Sequence, residues 1–190
     1  MELSTQLYLG LLLLVAGGRL IELAHSRRNQ QRLAAAGSVQ AQEPAYKWMV
    51  ALHTGVLAMC AVEVVVLRRP WIPMLGFPAL LMFLGANAAR WWVIRTLGPR
   101  WNVQVMPAAL GVITDRGPYR WVRHPNYAAV FVEMLALPLI HTAWITALVG
   151  AGLHILVLRN RIALEESVMQ LDPQWRGAFE HRARFVPGIL

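Results

Sequence analysis

Five long apolar runs are the feature of this sequence that most restricts its fold. Hydrophobic residues make up 57% of the 190 residues and charged residues only 15%, which is more apolar than most soluble domains. A helix of about 20 apolar residues crosses the ~30 Å hydrocarbon core of a bilayer. We therefore expect an all-α integral membrane bundle of five transmembrane helices. Their predicted boundaries are Leu3–Leu23, Trp48–Leu67, Ile72–Ile94, Asn126–Ile140 and Thr142–Leu158.

The order of the runs predicts one membrane domain over residues 1–190. Residues 3–94 hold the first three spans, and residues 95–190 hold a polar loop, a helical hairpin and an amphipathic C-terminal segment. The two hairpin helices meet at His141-Thr142, so they are expected to pack side by side.

The cations predict the topology. The net charge is +8, and most Arg and Lys residues fall between spans one and two, between spans three and four, and after span five. These three segments lie on one side of a five-span bundle. The positive-inside rule then places the N-terminus outside and the central loop and C-terminus in the cytoplasm. Topology and contact with anionic membrane lipid explain the basicity, so we predict no nucleic acid partner and no obligate protein partner.

The segment Gly117–Tyr127 brings cations, prolines and aromatic rings together between two apolar runs. Proline disfavours a helical conformation in the residue before it, and it is common at the first position of a helix. Pro118 and Pro125 therefore predict a turn, a short ordered loop and a helix that begins near Pro125. The backbone N–H groups and cations at such a helix start suit an anion, or a zwitterion that carries a carboxylate.

Four of the charged side chains within or just after the apolar runs are candidate site residues. Arg90 lies about one turn below the interface, where a cation generally faces either an ion-pair partner or a cavity. Glu133 lies inside the fourth run, so it is neutral, paired or lining a wet cavity. Arg161 and Glu165 are four residues apart and share one helix face, as a surface ion pair or as part of a site.

Four motifs in a fixed order resemble the isoprenylcysteine carboxyl methyltransferase (ICMT) family, whose wider group includes phospholipid methyltransferases. They are Gly117-Pro118-Tyr119-Arg120, Arg123-His124-Pro125-Asn126-Tyr127, Arg161 with Glu165-Glu166, and the aromatic segment Trp175–Pro187. The resemblance covers the second half of the chain, from about Arg90 onward. It implies a membrane O-methyltransferase with S-adenosylmethionine as its cofactor, held in a pocket that faces the cytoplasm.

The resemblance also implies roles for individual residues. Cofactor contacts are implied for Gln104, Gly111, Val112, Ile113, Thr114, Tyr119, Arg123, His124, Pro125, Asn126 and Tyr127. Arg161 and Arg90 would hold the acidic head group of a lipophilic acceptor that enters from the bilayer. Glu165 would lie beside the cofactor.

The implied acceptor is an isoprenylcysteine or a long-chain alkylpyrone or alkylresorcinol. The second class follows from the run Asn126–Val130 with Glu133, Pro138-Leu139 and Arg161-Ile162, which together resemble a bacterial branch that accompanies long-chain polyketide synthases. A carboxylate needs no base, whereas an enol or phenol has a proton to lose. Glu133 is therefore the candidate base for the second class.

Other classes of protein explain less of the sequence. A non-catalytic membrane protein that binds anionic lipid or a partner would account for the charge asymmetry, but not for the ordered loop. A sterol-reductase-like enzyme has similar hairpins but a larger bundle. The chain has no glycine-rich strand-loop-helix fingerprint of a soluble methyltransferase. Its six histidines show no metal-ligand spacing, so we predict no metal site.

Overall fold

The computed structural model describes residues 2–38, 41–44, 46–106 and 114–185. The regular elements within these residues are all helical, which confirms the predicted fold class. The α-helices are α1 (Leu3–Ala35), α2 (Tyr46–Val66), α3 (Pro73–Leu97), α4 (Pro125–Leu139), α5 (Trp144–Met169) and α6 (Pro173–Phe179). Short 3-10 turns span Gly98–Arg100 and Gly117–Arg120, and an isolated bridge joins Val122 to Ala183.

Four helices of the described part are long and apolar enough to cross a membrane. They are α1, α2, α3 with the 3-10 turn that follows it, and α5. Helix α4 has 15 residues, or roughly 22 Å of helix, against a hydrocarbon core of ~30 Å. The protein is thus a multi-pass membrane protein with four candidate spans and a shorter apolar helix. The fifth span and the orientation of the termini stay predictions.

Helix α1 extends well beyond its apolar run because its polar end packs against the loop after α3. The Ser26 hydroxyl accepts a hydrogen bond from the Val103 N–H at 2.9 Å. The Asn29 side-chain amide donates to the Trp101 carbonyl at 2.7 Å. Both Ser26 and Asn29 are fully buried. These contacts fix the loop over the end of α1.

Proline and glycine mark the ends of the central helices. Pro73 occupies the first turn of α3, and Gly98 ends that helix with φ 55°, in the left-handed region that favours glycine. Pro125 is the first residue of α4, as the sequence predicts. The polar loop therefore lies between the end of α3 and the start of α4.

The hydrophobic core joins the helices α1, α2, α3 and α4. Its buried side chains include Tyr8, Leu12, Val56, Cys60, Phe83 and Met134. Helix α5 is tied to α2 by Glu63, which accepts hydrogen bonds at 2.7 Å from both the backbone N–H and the hydroxyl of Thr146. Large apolar side chains on the outer faces are exposed, such as Leu13 at 74% and Leu81 at 70%. Such faces suit contact with lipid chains.

Candidate active site

An elongated cavity of about 440 Å³ lies among the helices. Its lining on α5 runs from His154 to Met169, a helix length of roughly 22 Å. Near His154 the wall contains the apolar side chains Val50, Val130 and Val157. The other end is lined by the loops, by Trp175 and Phe179 of α6, and by several charged side chains. The cavity wall thus contains both apolar and polar side chains.

The loop between the second 3-10 turn and α4 is held by the C-terminal segment. The backbone N–H of Arg123 donates to the Ala183 carbonyl at 2.9 Å, and that of His124 donates to the Arg184 carbonyl at 3.0 Å. Trp175–Pro187 was predicted as an amphipathic segment and as one of the four motifs, and residues 186 and 187 lie outside the described part. The described residues of this segment pair with the loop and close one wall of the cavity.

Gly117 sets the approach of this loop to α3. Its φ is 60°, and a Cβ atom at this position would lie 2.6 Å from the Thr96 hydroxyl oxygen. A side chain there would be strained by both the backbone conformation and the contact. The glycine at the start of the predicted motif is therefore a packing requirement of the loop.

Glu166 joins the loop, α5 and the C-terminal segment. Its carboxylate bonds to His124 Nε2 at 3.0 Å and accepts a hydrogen bond from Arg184 Nη2 at 2.8 Å. Arg123 Nη1 lies 3.4 Å from the same carboxylate. Hydrogen bonding to Glu166 raises the pKa of Arg184. The network holds the His124 ring against the cavity wall.

Arg161 is buried and is fixed by several partners. Its Nε donates to the Tyr127 hydroxyl at 2.8 Å, and that hydroxyl donates to Glu165. Its Nη2 donates to the Val103 carbonyl, and its Nη1 lies 3.2 Å from Glu43. Arg161 and Glu165 thus share a face, as predicted, but they are linked through Tyr127.

The ion-pair partner of Arg161 is Glu43, which sequence reasoning missed. Glu43 lies in the connection before α2, and its side chain is 2% exposed. Burial raises the pKa of the Glu43 carboxyl, and the neighbouring Arg161 guanidinium acts in the opposite direction. No sequence pattern pairs two residues that lie more than 100 positions apart.

A second set of charges, which we call the ion cluster, consists of Arg19, Glu22, Arg90 and Glu133. Glu133 accepts hydrogen bonds from Arg19 at 2.6 Å and from Arg90 at 3.2 Å, and from the Asn87 amide at 3.1 Å. Glu22 accepts from Arg19 at 3.0 Å and also pairs with Arg90. Arg90 thus has ion-pair partners and also lines the cavity, and its contact with the acceptor stays a prediction. The signal for Arg19 and Glu22, absent from the predicted site residues, is an i, i+3 charge pair in an apolar run.

Three predicted cofactor residues carry buried polar atoms that have no hydrogen-bond partner among the described residues. These atoms are Thr114 Oγ1, Arg123 Nε and Asn126 Oδ1, and the three residues line the cavity. Buried polar atoms in native proteins are nearly always paired with protein, water or ligand. Both donors and acceptors are present, so the donor set fits a polar, zwitterionic group such as S-adenosylmethionine.

The structure brings most of the predicted site residues to the cavity wall. The lining includes Arg90, Gln104, Thr114, Tyr119, Arg123, His124, Asn126, Tyr127, Arg161 and Glu165. Pro125 is buried at the start of α4, and Glu133 lies in the ion cluster. Gly111, Val112 and Ile113 lie outside the described residues. Sequence reasoning missed Glu43 and two lining histidines, His53 and His154.

Apolar helices of membrane-spanning length around this cavity define the class as a multi-pass membrane protein with an internal cavity. The sequence model of the isoprenylcysteine carboxyl methyltransferase (ICMT) family matches residues 79–171. This segment covers α4, α5, the polar loop and most of α3. The predicted resemblance to this family is confirmed.

Related chains cover different shares of the protein. The uncharacterized protein YpbQ of Bacillus subtilis (strain 168) is 29% identical over 153 residues, which are 80% of this chain and 90% of that protein. An uncharacterized Haemophilus influenzae (strain ATCC 51907 / DSM 11121 / KW20 / Rd) protein is 37% identical over 92 residues, or 48% and 52% of the two chains. Both similarities are to proteins whose names state no activity.

A solved structure shares the fold. The eukaryotic intramembrane Ras methyltransferase ICMT matches with a TM-score of 0.54 and 19% sequence identity. The match covers 70% of this chain and 50% of that protein. The chain therefore spans about half the length of that enzyme. At this identity the likeness concerns the arrangement of helices.

Proposed function

We propose that this protein is an S-adenosylmethionine-dependent O-methyltransferase that acts on the acidic head group of a lipophilic acceptor. One observation carries the proposal: a single cavity is lined both by the predicted cofactor residues whose buried polar atoms have no partner among the described residues and by the buried Arg161. The apolar side chains of the same cavity suit a hydrocarbon chain. The match of residues 79–171 to a methyltransferase family supports the reaction class.

Thr114, Arg123, Asn126 and the neighbouring His124 would hold the cofactor. Their unpartnered donors and acceptors can bind its charged and polar groups, and Glu166 keeps His124 in place. When bound, the cofactor supplies an electrophilic methyl group. Gln104, Tyr119 and the segment 111–113 complete the proposed set.

Arg161 would orient the acceptor. The Tyr127 hydroxyl, the Val103 carbonyl and Glu43 fix its guanidinium in one direction. A cation fixed in this way can align an acidic oxygen without moving during the reaction, and alignment of reactants can contribute up to ~7–11 kcal/mol. Arg161 is only 6% exposed, and low exposure to water strengthens its electrostatic interaction with an anion.

Two routes into the cavity follow from this assignment. The polar cofactor would enter from the cytoplasmic side, where the basic segments are predicted, and the acceptor would enter between helices from the bilayer. Isoprenylcysteine carboxylates, alkylpyrones and alkylresorcinols all combine a long apolar chain with a small acidic head group. They are therefore the acceptor classes to assay first.

Substitution of Arg161 tests the proposal. Purified protein in detergent is titrated calorimetrically with S-adenosylmethionine, and methyl transfer is then measured with a prenylated cysteine and with a long-chain alkylresorcinol. We expect Arg161→Ala to retain cofactor binding and to lose at least ~100-fold in methyl transfer, the size of effect seen when a fixed donor is removed from an active site. Arg159→Ala is the matched control, because Arg159 is exposed on the same helix.

Two outcomes would contradict the assignment. If the wild-type protein does not bind S-adenosylmethionine, the proposed methyltransferase activity is wrong, and binding of anionic lipid by the basic segments becomes the better explanation. If Arg161→Ala abolishes cofactor binding as well as transfer, Arg161 belongs to the cofactor site.

A further inference from the structure

His154 of α5 is a buried imidazole that lines the cavity. The residue is 3% exposed, and neither ring nitrogen has a hydrogen-bond partner among the described residues. A buried polar group without a partner typically costs about 1–3 kcal/mol. Inside an apolar helix, an ionisable side chain of this kind generally marks a functional site. The ring nitrogens are therefore available to a molecule in the cavity.

The ring of His154 is held in position by two neighbours. It stacks on Phe131 of α4, with centroids 6.4 Å apart and planes at 23°. It meets His53 of α2 edge-on at 5.4 Å and 86°. Because the Met49 carbonyl can only accept, the 2.7 Å contact with His53 Nδ1 fixes the proton of His53 on that nitrogen. His53 lines the same cavity.

Few charged groups act on the His154 imidazole. Arg161 lies two turns along the same face of α5, and His53 is the titratable neighbour from α2. Arg19 of α1 and Glu133 of α4 act on His53, but both oxygens of Glu133 already accept hydrogen bonds in the ion cluster. Glu133, the base predicted from sequence, is also not among the residues that line the large cavity. His154 is better placed to receive a proton.

We propose that His154 accepts a proton from the lipophilic molecule that is methylated. The head group of that molecule would be a weakly acidic hydroxyl, a phenol or an enol. This inference rests on the proposed function, and it narrows the acceptor class. The O–H bond breaks as its proton forms a bond to a lone pair of the imidazole, which leaves an oxygen anion beside an imidazolium. The pair stays neutral overall. Arg161 disfavours the imidazolium and favours the oxygen anion, so the step requires the anion to lie nearer to Arg161 than the ring does. A carboxylate acceptor would not use this step.

Ionisation of a bound probe, without any cofactor, tests the step directly. The probe is a 4-nitrophenol with a long alkyl chain, whose phenolate absorbs at a longer wavelength than the phenol. The pH is chosen so that the probe is mostly neutral in detergent micelles alone. We expect wild-type protein to bind it as the phenolate, and the His154→Gln and His154→Phe proteins to bind it with at least a 10-fold lower ratio of phenolate to phenol. His181→Gln, at an exposed histidine, is the matched control.

Methyl transfer supplies a second readout. Loss of a general base typically costs at least ~100-fold in rate, so both His154 variants should lose about this much with an alkylresorcinol. Transfer to a long-chain carboxylate should stay within about 2-fold of wild type. The Gln variant keeps a polar side chain and the Phe variant keeps the stacking on Phe131, and thermal unfolding checks that each is folded.

The outcomes separate this inference from the proposed function. If the probe ionises equally in wild type and both variants, or if phenol and carboxylate transfer fall together, His154 is a structural residue and the inference is wrong. If wild-type protein ionises the probe but does not bind S-adenosylmethionine, the proposed methyltransferase activity fails while the proton acceptor stands.

Discussion

The ion cluster and the loop before α4 both contribute buried polar groups to the cavity wall, but they differ in how those groups are paired. In the ion cluster, all four carboxylate oxygens of Glu22 and Glu133 accept hydrogen bonds from arginine or asparagine. In the loop and the start of α4, Thr114, Arg123 and Asn126 each carry a polar atom without a described partner. Among the buried side-chain atoms of the cluster, only Arg90 Nε lacks a hydrogen-bond partner in the described residues.

This difference separates structural charge from binding capacity. A buried ion pair whose oxygens are all used has little left to offer a ligand, and loss of one member leaves an uncompensated charge. The cluster joins α1, α3 and α4, so its pairing stabilises the arrangement of these helices. Unpartnered atoms in a loop cost stability, and a ligand that pairs them recovers that cost. The loop is therefore the better candidate for cofactor binding.

The largest expected effect comes from breaking the ion cluster. In Glu133→Gln, the cations of Arg19 and Arg90 are left with Glu22 as their only carboxylate in the cluster. Removing one member of a buried pair generally costs about 3–5 kcal/mol, so we expect a clear loss of unfolding free energy in detergent. Glu180→Gln, at an exposed position, should unfold like wild type. Normal stability with lost cofactor binding would show that the cluster is itself part of the binding site.

An intermediate effect is expected at Glu166, which is a paired structural charge and also holds the loop that is proposed to bind the cofactor. Its carboxylate is well paired, but its partners are the loop residues His124 and Arg123 and the C-terminal Arg184. In Glu166→Gln the carboxylate charge is lost, so the charge-assisted hydrogen bonds from the loop become weaker neutral ones. Affinity for S-adenosylmethionine should fall roughly 10- to 100-fold by calorimetry, with a smaller loss of stability than in Glu133→Gln. Unchanged affinity would mean that the loop is positioned without Glu166.

The helices were the part of the fold that sequence could predict, because hydropathy and helix-end signals are local. Pro125 marks the start of α4, and the apolar runs mark the four candidate spans. The extension of α1 could not be predicted in the same way. It depends on Ser26 and Asn29 finding partners in residues 101–103, more than 70 positions away.

The site, like the fold, could be predicted only where the signal is local in the sequence. The Gly117–Tyr127 motif identified the loop that carries Arg123, His124 and Asn126 at the cavity wall. The partners of the predicted charges were not identifiable, since Glu43 with Arg161 and Arg19 with Glu133 pair residues from distant segments. His154 was missed because a single histidine in an apolar run shows no spacing pattern, and only packing reveals that its nitrogens are unpartnered.

The smallest expected effects come from removing one hydroxyl group from each of two threonines. These variants compare a polar group that has a hydrogen-bond partner with one that has no described partner. Thr114 has a buried hydroxyl with no described partner, whereas the buried hydroxyl of Thr146 bonds to Glu63 at 2.7 Å. Valine has nearly the same shape as threonine and lacks the hydroxyl. Thr114→Val should therefore leave the unfolding free energy of the ligand-free protein unchanged or raise it by up to ~1 kcal/mol, and lower affinity for S-adenosylmethionine by roughly 10-fold.

Thr146→Val should show the opposite pattern. Loss of the Thr146 hydroxyl leaves a carboxylate oxygen of Glu63 with one donor fewer, so the unfolding free energy should fall by about 1–2 kcal/mol. The affinity for the cofactor should stay at the wild-type value. Thermal unfolding and calorimetric titration of both variants give the comparison in one experiment. If Thr114→Val is destabilised as much as Thr146→Val and binds the cofactor normally, the Thr114 hydroxyl is satisfied within the folded protein, and its part in the cofactor site must be abandoned.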